Sequence, residues 1–164
     1  MLHKEMEDAL NKQVNAELWS AYLYRSMACD MDNKNFPGIA NWFKVQASEE
    51  VTHAEKIMDF ISSVDGKVRL EPIAEVRQEW KSPTDAFENT LVHEKEVTSL
   101  IEKLMDKAFE LKDYPTINML QWFIDEQVEE EETPRNLLAA LKLIEGDKAA
   151  MYLFDKKLGK RNDD

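Results

Sequence analysis

Four long stretches of the 164-residue chain repeat apolar positions with helical spacing. Between Phe36 and Val64, the residues Ile39, Phe43, Gln46, Glu50, His53, Ile57, Phe60 and Val64 recur at steps of three and four. Such steps put them on one helix face, the face that turns inward. This face is apolar at both ends and polar at its centre. A buried carboxylate is costly unless it is paired or holds a metal ion. Glu50 and His53 lie three apart on the face, so both can reach one ion. A Glu-x-x-His also arises by chance, with its imidazole satisfied by hydrogen bonds. The other helices have to decide between the two readings.

The same periodicity predicts a first helix over about 5–32, with Leu10, Gln13, Val14, Glu17, Ala21, Tyr24 and Ala28 inward. Asp32 to Asn35 is a polar turn, and Pro37 suits the first turn of the second helix. Asp65-Gly66 ends that helix with a C-terminal glycine. Periodicity fades over 67–82, which reads as an irregular connection. Ser82-Pro83-x-Asp85 starts a third helix, running to about Leu111 with Phe87, Leu91, Glu94, Val97, Ile101, Leu104, Ala108 and Leu111 inward. A fourth helix follows Asp113-Tyr114-Pro115 and turns Ile117, Leu120, Phe123, Gln127, Glu130, Leu137, Leu138 and Leu141 inward. Pro134 lies inside it and predicts a kink, because its ring clashes with the carbonyl of Glu130. Gly146 closes this helix, and Asp147 caps a short fifth helix reaching Gly159. The expected organisation is a single domain over 1–164: a four-helix bundle over 1–145, the fifth helix over 146–159 and a frayed tail over 160–164.

Connection lengths set the topology. Short turns make the first pair and the last pair of long helices antiparallel hairpins. The link between Asp65 and Ser82 spans at most roughly 60 Å when extended. A 28-residue helix is about 42 Å long. The link can therefore cross the whole bundle and make the second and third helices parallel. The fold class is all-α, a four-helix bundle with one long crossover.

Each long helix carries a polar group where its inward face is otherwise apolar: Glu17, then Glu50 and His53, then Glu94, then Gln127 and Glu130. Residues equidistant from a hairpin turn lie side by side. The midpoint of Glu17 and Glu50 falls between residues 33 and 34, in the first turn. The midpoint of Glu94 and Glu130 is residue 112, in the last turn. The carboxylates thus meet at one height, where they would repel strongly without a counter-cation. This decides for a metal site. Carboxylate oxygens with few nitrogens and no thiolate suit iron or manganese. Glu50 sits centrally and can bridge two ions, with Glu17 and His53 completing one site and Glu94 with Glu130 the other. Tyr24 lies seven residues from Glu17 on the same face, either as a hydrogen-bond donor to a ligand carboxylate or an electron-transfer group, or as an ordinary core tyrosine. The acidic run from Gln127 to Glu132 is either a solvated face or, through Glu126, Glu129 and Glu130 with Glu49, an extra cation site. His3 and His93 read as bystanders.

Composition narrows the partners. Lys plus Arg number 21 against 33 Asp plus Glu, a net charge of −12, which argues against nucleic acid or an anionic membrane. One cysteine, Cys29, leaves no internal disulfide and no Cys-x-x-Cys site. Met1-Leu2-His3-Lys4-Glu5 contains no apolar signal region and no apolar run approaches a membrane span, so a cytoplasmic location is expected.

The motif Glu17, Tyr24, Glu49-Glu50-x-x-His53, Glu94 and Gln127-x-x-Glu130, spread over almost the whole chain, resembles that of the ferritins, specifically the non-haem bacterial ferritins. Symmetric di-iron proteins carry a second Glu-x-x-His, whereas here the fourth helix offers Gln127-x-x-Glu130. Thr52 stands where bacterioferritins carry a haem-ligating Met, so no haem is expected. The resemblance implies a ferritin-like bundle in a hollow homo-oligomeric shell of 24 subunits, with the fifth helix around the fourfold axes. It implies a ferroxidase centre holding two irons, with a third site beside it, where dioxygen or peroxide oxidises Fe(II) to Fe(III). It also implies ferric mineral stored inside. The alternative class is a di-iron oxidase or oxygenase acting on an organic substrate, against which the histidine-poor second site speaks.

Overall fold

A computed structural model describes residues 1–162. The last two positions of the predicted tail, Asp163 and Asp164, lie outside the described residues. Five helices follow in order: α1 (Lys4–Asn33), α2 (Pro37–Ser63), α3 (Pro83–Glu110), α4 (Tyr114–Leu143) and α5 (Lys148–Leu158). Among the described residues there is no strand, and no helix is long and apolar enough to cross a membrane.

Helix starts follow side-chain capping chemistry. Ser82 Oγ accepts from Asp85 N at 3.2 Å, Asp113 Oδ1 from Thr116 N at 3.2 Å and Asp147 Oδ1 from Ala150 N at 3.0 Å. The N-terminus of α2 has no cap of its own, since Phe36 precedes it. Asp155 of α5 supplies one, accepting from Gly38 N at 3.1 Å and Ile39 N at 2.8 Å. This bond fixes α5 against α2. A Cβ at Gly38 would collide with the Asp155 carbonyl, so only glycine permits the approach.

The first three helices end alike. Asn35, Asp65 and Lys112 take φ of 64°, 60° and 55°. Phe36 N, Gly66 N and Asp113 N then bond to the carbonyls of Met31, Ile61 and Ala108 at 2.9, 2.8 and 2.9 Å. Sequence reasoning placed a glycine at the turning point of α2, but Asp65 makes the turn. Gly66 is needed one residue later, where a Cβ would come within 2.9 Å of Ile61 O and Leu2 Cδ2. The inward face of α2 also continues from Ile57 to the fully buried Ile61, leaving Phe60 and Val64 half-buried. α4 continues through Pro134 to Leu143.

Residues 64–82 run beside α1. Asn11 Nδ2 donates to Lys67 O at 2.9 Å, Asn15 Nδ2 to Glu71 O at 3.2 Å, Trp19 Nε1 to Glu75 O at 3.2 Å and Ser26 Oγ to Arg77 O at 2.7 Å. Trp80 N donates to Asp30 Oδ2 at 2.9 Å. Positions advance together on both segments, so the link travels in the direction of α1. α2 returns antiparallel to α1 through a tight turn, so α3 starts beside the start of α2 and runs parallel to it. This is the long crossover.

Two apolar clusters fill the bundle. One contains Tyr24, Met27, Phe43, Phe87 and Leu138; the other contains Leu10, Val14, Ile57, Ile101 and Phe123. On every long helix the residues between the two clusters are the polar ones. A buried polar layer therefore crosses the bundle at one height.

Candidate metal centre

Glu17 comes from α1, Glu50 and His53 from α2, Glu94 from α3, and Gln127 and Glu130 from α4; all six are buried. Their oxygens and nitrogens converge into three groups able to hold a cation: Glu17 with Glu50 and His53, Glu50 with Glu94 and Glu130, and His53 with Glu126 and Glu130. Within each group the ligand atoms lie within 4.8 Å of one another. Glu50 belongs to two groups, which is the geometry of a bridge. His53 Nδ1 lies 3.3 Å from Glu50 Oε2 and 4.0 Å from Glu17 Oε2, while Nε2 faces Glu126 Oε1 at 3.6 Å.

A second ring of donors orients these carboxylates. Gln13 Nε2 donates to Glu17 Oε1 at 2.8 Å. Gln46 Nε2 donates to Glu50 Oε1 at 3.2 Å and to Glu130 Oε2 at 2.6 Å. The Tyr24 hydroxyl donates to Glu94 Oε1, so Tyr24 is the donor and not merely core filling. Gln127 Nε2 donates to Glu94 Oε2 at 3.3 Å and to Thr98 Oγ1 at 3.1 Å. Glu17 Oε2 remains as a buried oxygen with no hydrogen-bond partner among the described residues. A buried carboxylate oxygen left bare in this way fits a ligand position awaiting a cation.

Electrostatics agree. Burial, reinforced by the neighbouring carboxylates, pushes Glu50 and Glu130 well above the usual carboxylate range. Burial likewise pushes Glu94 up to about 7, against the pull of the Tyr24 and Gln127 hydrogen bonds. Without cations this layer prefers protons, and a bound cation has to replace them.

Glu49 is half-buried and Glu129 exposed; both face the gap lined also by Gln46, Glu126 and Glu130. The acidic run is thus split, with Glu126 reaching His53 and Glu129 staying at the rim. His93 corrects the sequence reading in part. It belongs to none of the three groups, but it is buried, its Nε2 lies 2.8 Å from Ser20 Oγ, and its ring meets the edge of Tyr24 at 5.9 Å. Burial lowers its pKa to about 4 and keeps it neutral. Helix α3 packs on both α1 and α4, so two successive residues can both be buried. Sequence reasoning passed over the supporting roles of Gln13 and Gln46. A signal was available: each stands four residues before a ligand, as Gln13-x-x-x-Glu17 and Gln46-x-x-x-Glu50.

The model of the ferritin-like domain family matches residues 7–144. The chain belongs to the ferritin family. A bacterial non-heme ferritin of Staphylococcus saprophyticus is 39% identical over 164 residues, covering 100% of this chain and 98% of that one. One from Bacteroides fragilis is 36% identical over 161 residues, covering 98% of this chain and 100% of the other. Among solved structures, the open pore ferritin of the archaeon Archaeoglobus fulgidus superimposes with a TM-score of 0.98 at 44% identity, covering 99% of this chain and 100% of that chain. The bundle, the crossover and the short fifth helix form the frame in which the polar layer sits.

Proposed function

We propose that this ferritin stores iron, oxidising Fe(II) to Fe(III) at a di-iron ferroxidase centre inside each chain. The observation that carries this reading is the pair of buried ligand groups sharing Glu50. Glu17, Glu50 and His53 take one Fe(II); Glu50, Glu94 and Glu130 take the second. Gln13, Gln46, Tyr24 and Gln127 hold the carboxylates in place. Each Fe(II) gives one electron, so a pair reduces dioxygen or peroxide by two electrons. Two ions joined through one carboxylate can deliver both electrons to one oxidant. Glu126, Glu129 and Glu130 with Glu49 form a third cation position beside the pair. The product Fe(III) hydrolyses and is laid down as ferric mineral within a hollow shell of 24 copies of the chain, in the cytoplasm, with no haem.

The deciding experiment adds aerobic Fe(II) to the purified protein and follows it on a sizing column. Iron should co-elute with a particle far larger than the 19.1 kDa chain. Iron that precipitates while the protein elutes free of it would refute storage.

A further inference from the structure

The segment after α5 packs against α2 through Arg161. Asn41 Nδ2 donates to Arg161 O at 2.9 Å, and the Arg161 guanidinium lies 4.4 Å over the Trp42 ring. Arg161 Nη1 donates to Trp42 O at 3.2 Å, and Nη2 forks between Gln46 Oε1 at 3.0 Å and Glu49 Oε2 at 2.8 Å. One permanent cation thus sits in the gap that Glu49 shares with Glu126, Glu129 and Glu130. Its bond to Gln46 has a further effect. With Oε1 engaged by Arg161, the Gln46 amide turns Nε2 inward to donate to Glu50 and Glu130. A planar guanidinium suits this double task better than an ammonium, because its fork reaches two acceptors at fixed angles.

We propose that Arg161 is a positioning residue that occupies the outer cation position on Glu49, competes there with the third iron, and links the C-terminal segment to the iron pair through Gln46. The inference rests on the di-iron reading above. A cation arriving on Glu49 displaces the guanidinium and releases Gln46 Oε1. The amide is then free to leave Glu50 and Glu130. Filling the outer position thereby loosens the ligands of the pair, which favours release of oxidised iron towards the mineral.

The test uses the assembled full-length protein and its Arg161→Gln and Arg161→Lys variants. Anaerobic Fe(II) calorimetry resolves the pair from the third ion. Terbium(III), sensitised by the tryptophans, reports the outer position without redox chemistry. Arg161→Gln should tighten the third ion about fivefold, the scale of one partly exposed ion pair, and weaken the pair severalfold, because Gln46 is then released from its inward orientation. Arg161→Lys keeps charge but not the fork and should fall between. Should Arg161→Gln not assemble, Arg161→Lys carries the comparison, with a third-ion affinity equal to that of the unsubstituted protein counting against competition. In Arg161→Gln, unchanged or weaker third-ion binding overturns the competition on Glu49, and an unchanged pair affinity overturns the link through Gln46, while pair binding in the unsubstituted protein leaves the di-iron reading standing. Absence of pair binding in the unsubstituted protein overturns the di-iron reading itself, and this proposal with it.

Discussion

The Tyr24 hydroxyl on α1 donates to Oε1 of Glu94 on α3, joining residues 70 apart in sequence inside the polar layer. The bond favours the ionised form of Glu94 against the desolvation that raises its pKa. Tyr24→Phe removes that support and lifts the Glu94 pKa further. Cation binding needs the carboxylate, so Tyr24→Phe should weaken Zn(II) or anaerobic Fe(II) binding severalfold at pH 6.5. The deficit should shrink towards pH 8.5, where more of Glu94 is ionised in both proteins. Calorimetry at the two pH values measures it. A deficit independent of pH would mean that Tyr24 acts through shape alone.

The ion-free protein should lose stability as pH rises above 6.5. Glu50, Glu94 and Glu130 have folded pKa values raised above those of the unfolded chain, so their contribution is full below the unfolded value and lost as pH climbs through the folded one. Each carboxyl protonated when folded and ionised when unfolded contributes a slope of about 1.4 kcal/mol per pH unit. His93, at about 4, opposes this only below its unfolded value near 6.5. Melting temperatures from pH 6.5 to 8.5 should therefore fall without metal. Zn(II) should reverse the trend by taking the place of the protons.

Glu50→Ala separates stability from activity. It deletes the oxygens shared by two ligand groups, so initial Fe(II) oxidation should slow by at least about tenfold, the lower end of what ligand-sphere changes cost metal sites. Removing one of several crowded carboxyls should leave the ion-free fold at least as stable, with a shallower pH slope. Glu129→Ala should differ: Glu129 is exposed at the rim and outside all three groups, so pair binding should persist while turnover changes. Stopped-flow oxidation and metal titration of the two variants, side by side, make the contrast.

The bundle and most of the centre are legible in the sequence because both depend on period and height along helices. Glu17, Glu50, Glu94 and Glu130 can be brought level by counting from two turns. Contacts made by single residues across long separations cannot be counted that way. Phe36 gives no hint that the α2 cap comes from Asp155, 116 residues from Ile39. Arg161 reads as one more charge in a polar tail until α5 is docked and Trp42 is beneath it. His93 reads as off the inward face because a single face was assumed. The small Ser20 on α1 makes room for its ring between two helices.

Docking of α5 should depend on a single bond pair. Asp155→Ala removes the cap on α2, at a cost of about 1 kcal/mol, and more from the lost charge near the helix N-terminus. Gly38→Ala forces the Asp155 carbonyl away. Both variants should become sensitive to limited proteolysis between α4 and α5 while keeping the pair. Because Arg161 follows α5, both should also tighten third-ion binding in the direction expected for Arg161→Gln. Unchanged proteolysis in Gly38→Ala would show that α5 is held by its apolar face and not by this approach.

Storage makes the strongest demand on the protein. On the proposed reading the ligand residues of one chain hold two or three ions, whereas a shell that lays down mineral holds far more. Aerobic Fe(II) should therefore load many ions per chain, all co-eluting with a large particle. Zn(II) should compete for the same carboxylates and, being unable to change redox state, slow the oxidation without ending up in the mineral. Glu50→Ala should slow loading, because it removes the oxygens shared by the two ligand groups. Saturation at two or three ions per chain, with the remainder precipitating outside, would instead favour a di-iron oxidase acting on an organic substrate, which needs the pair and nothing more.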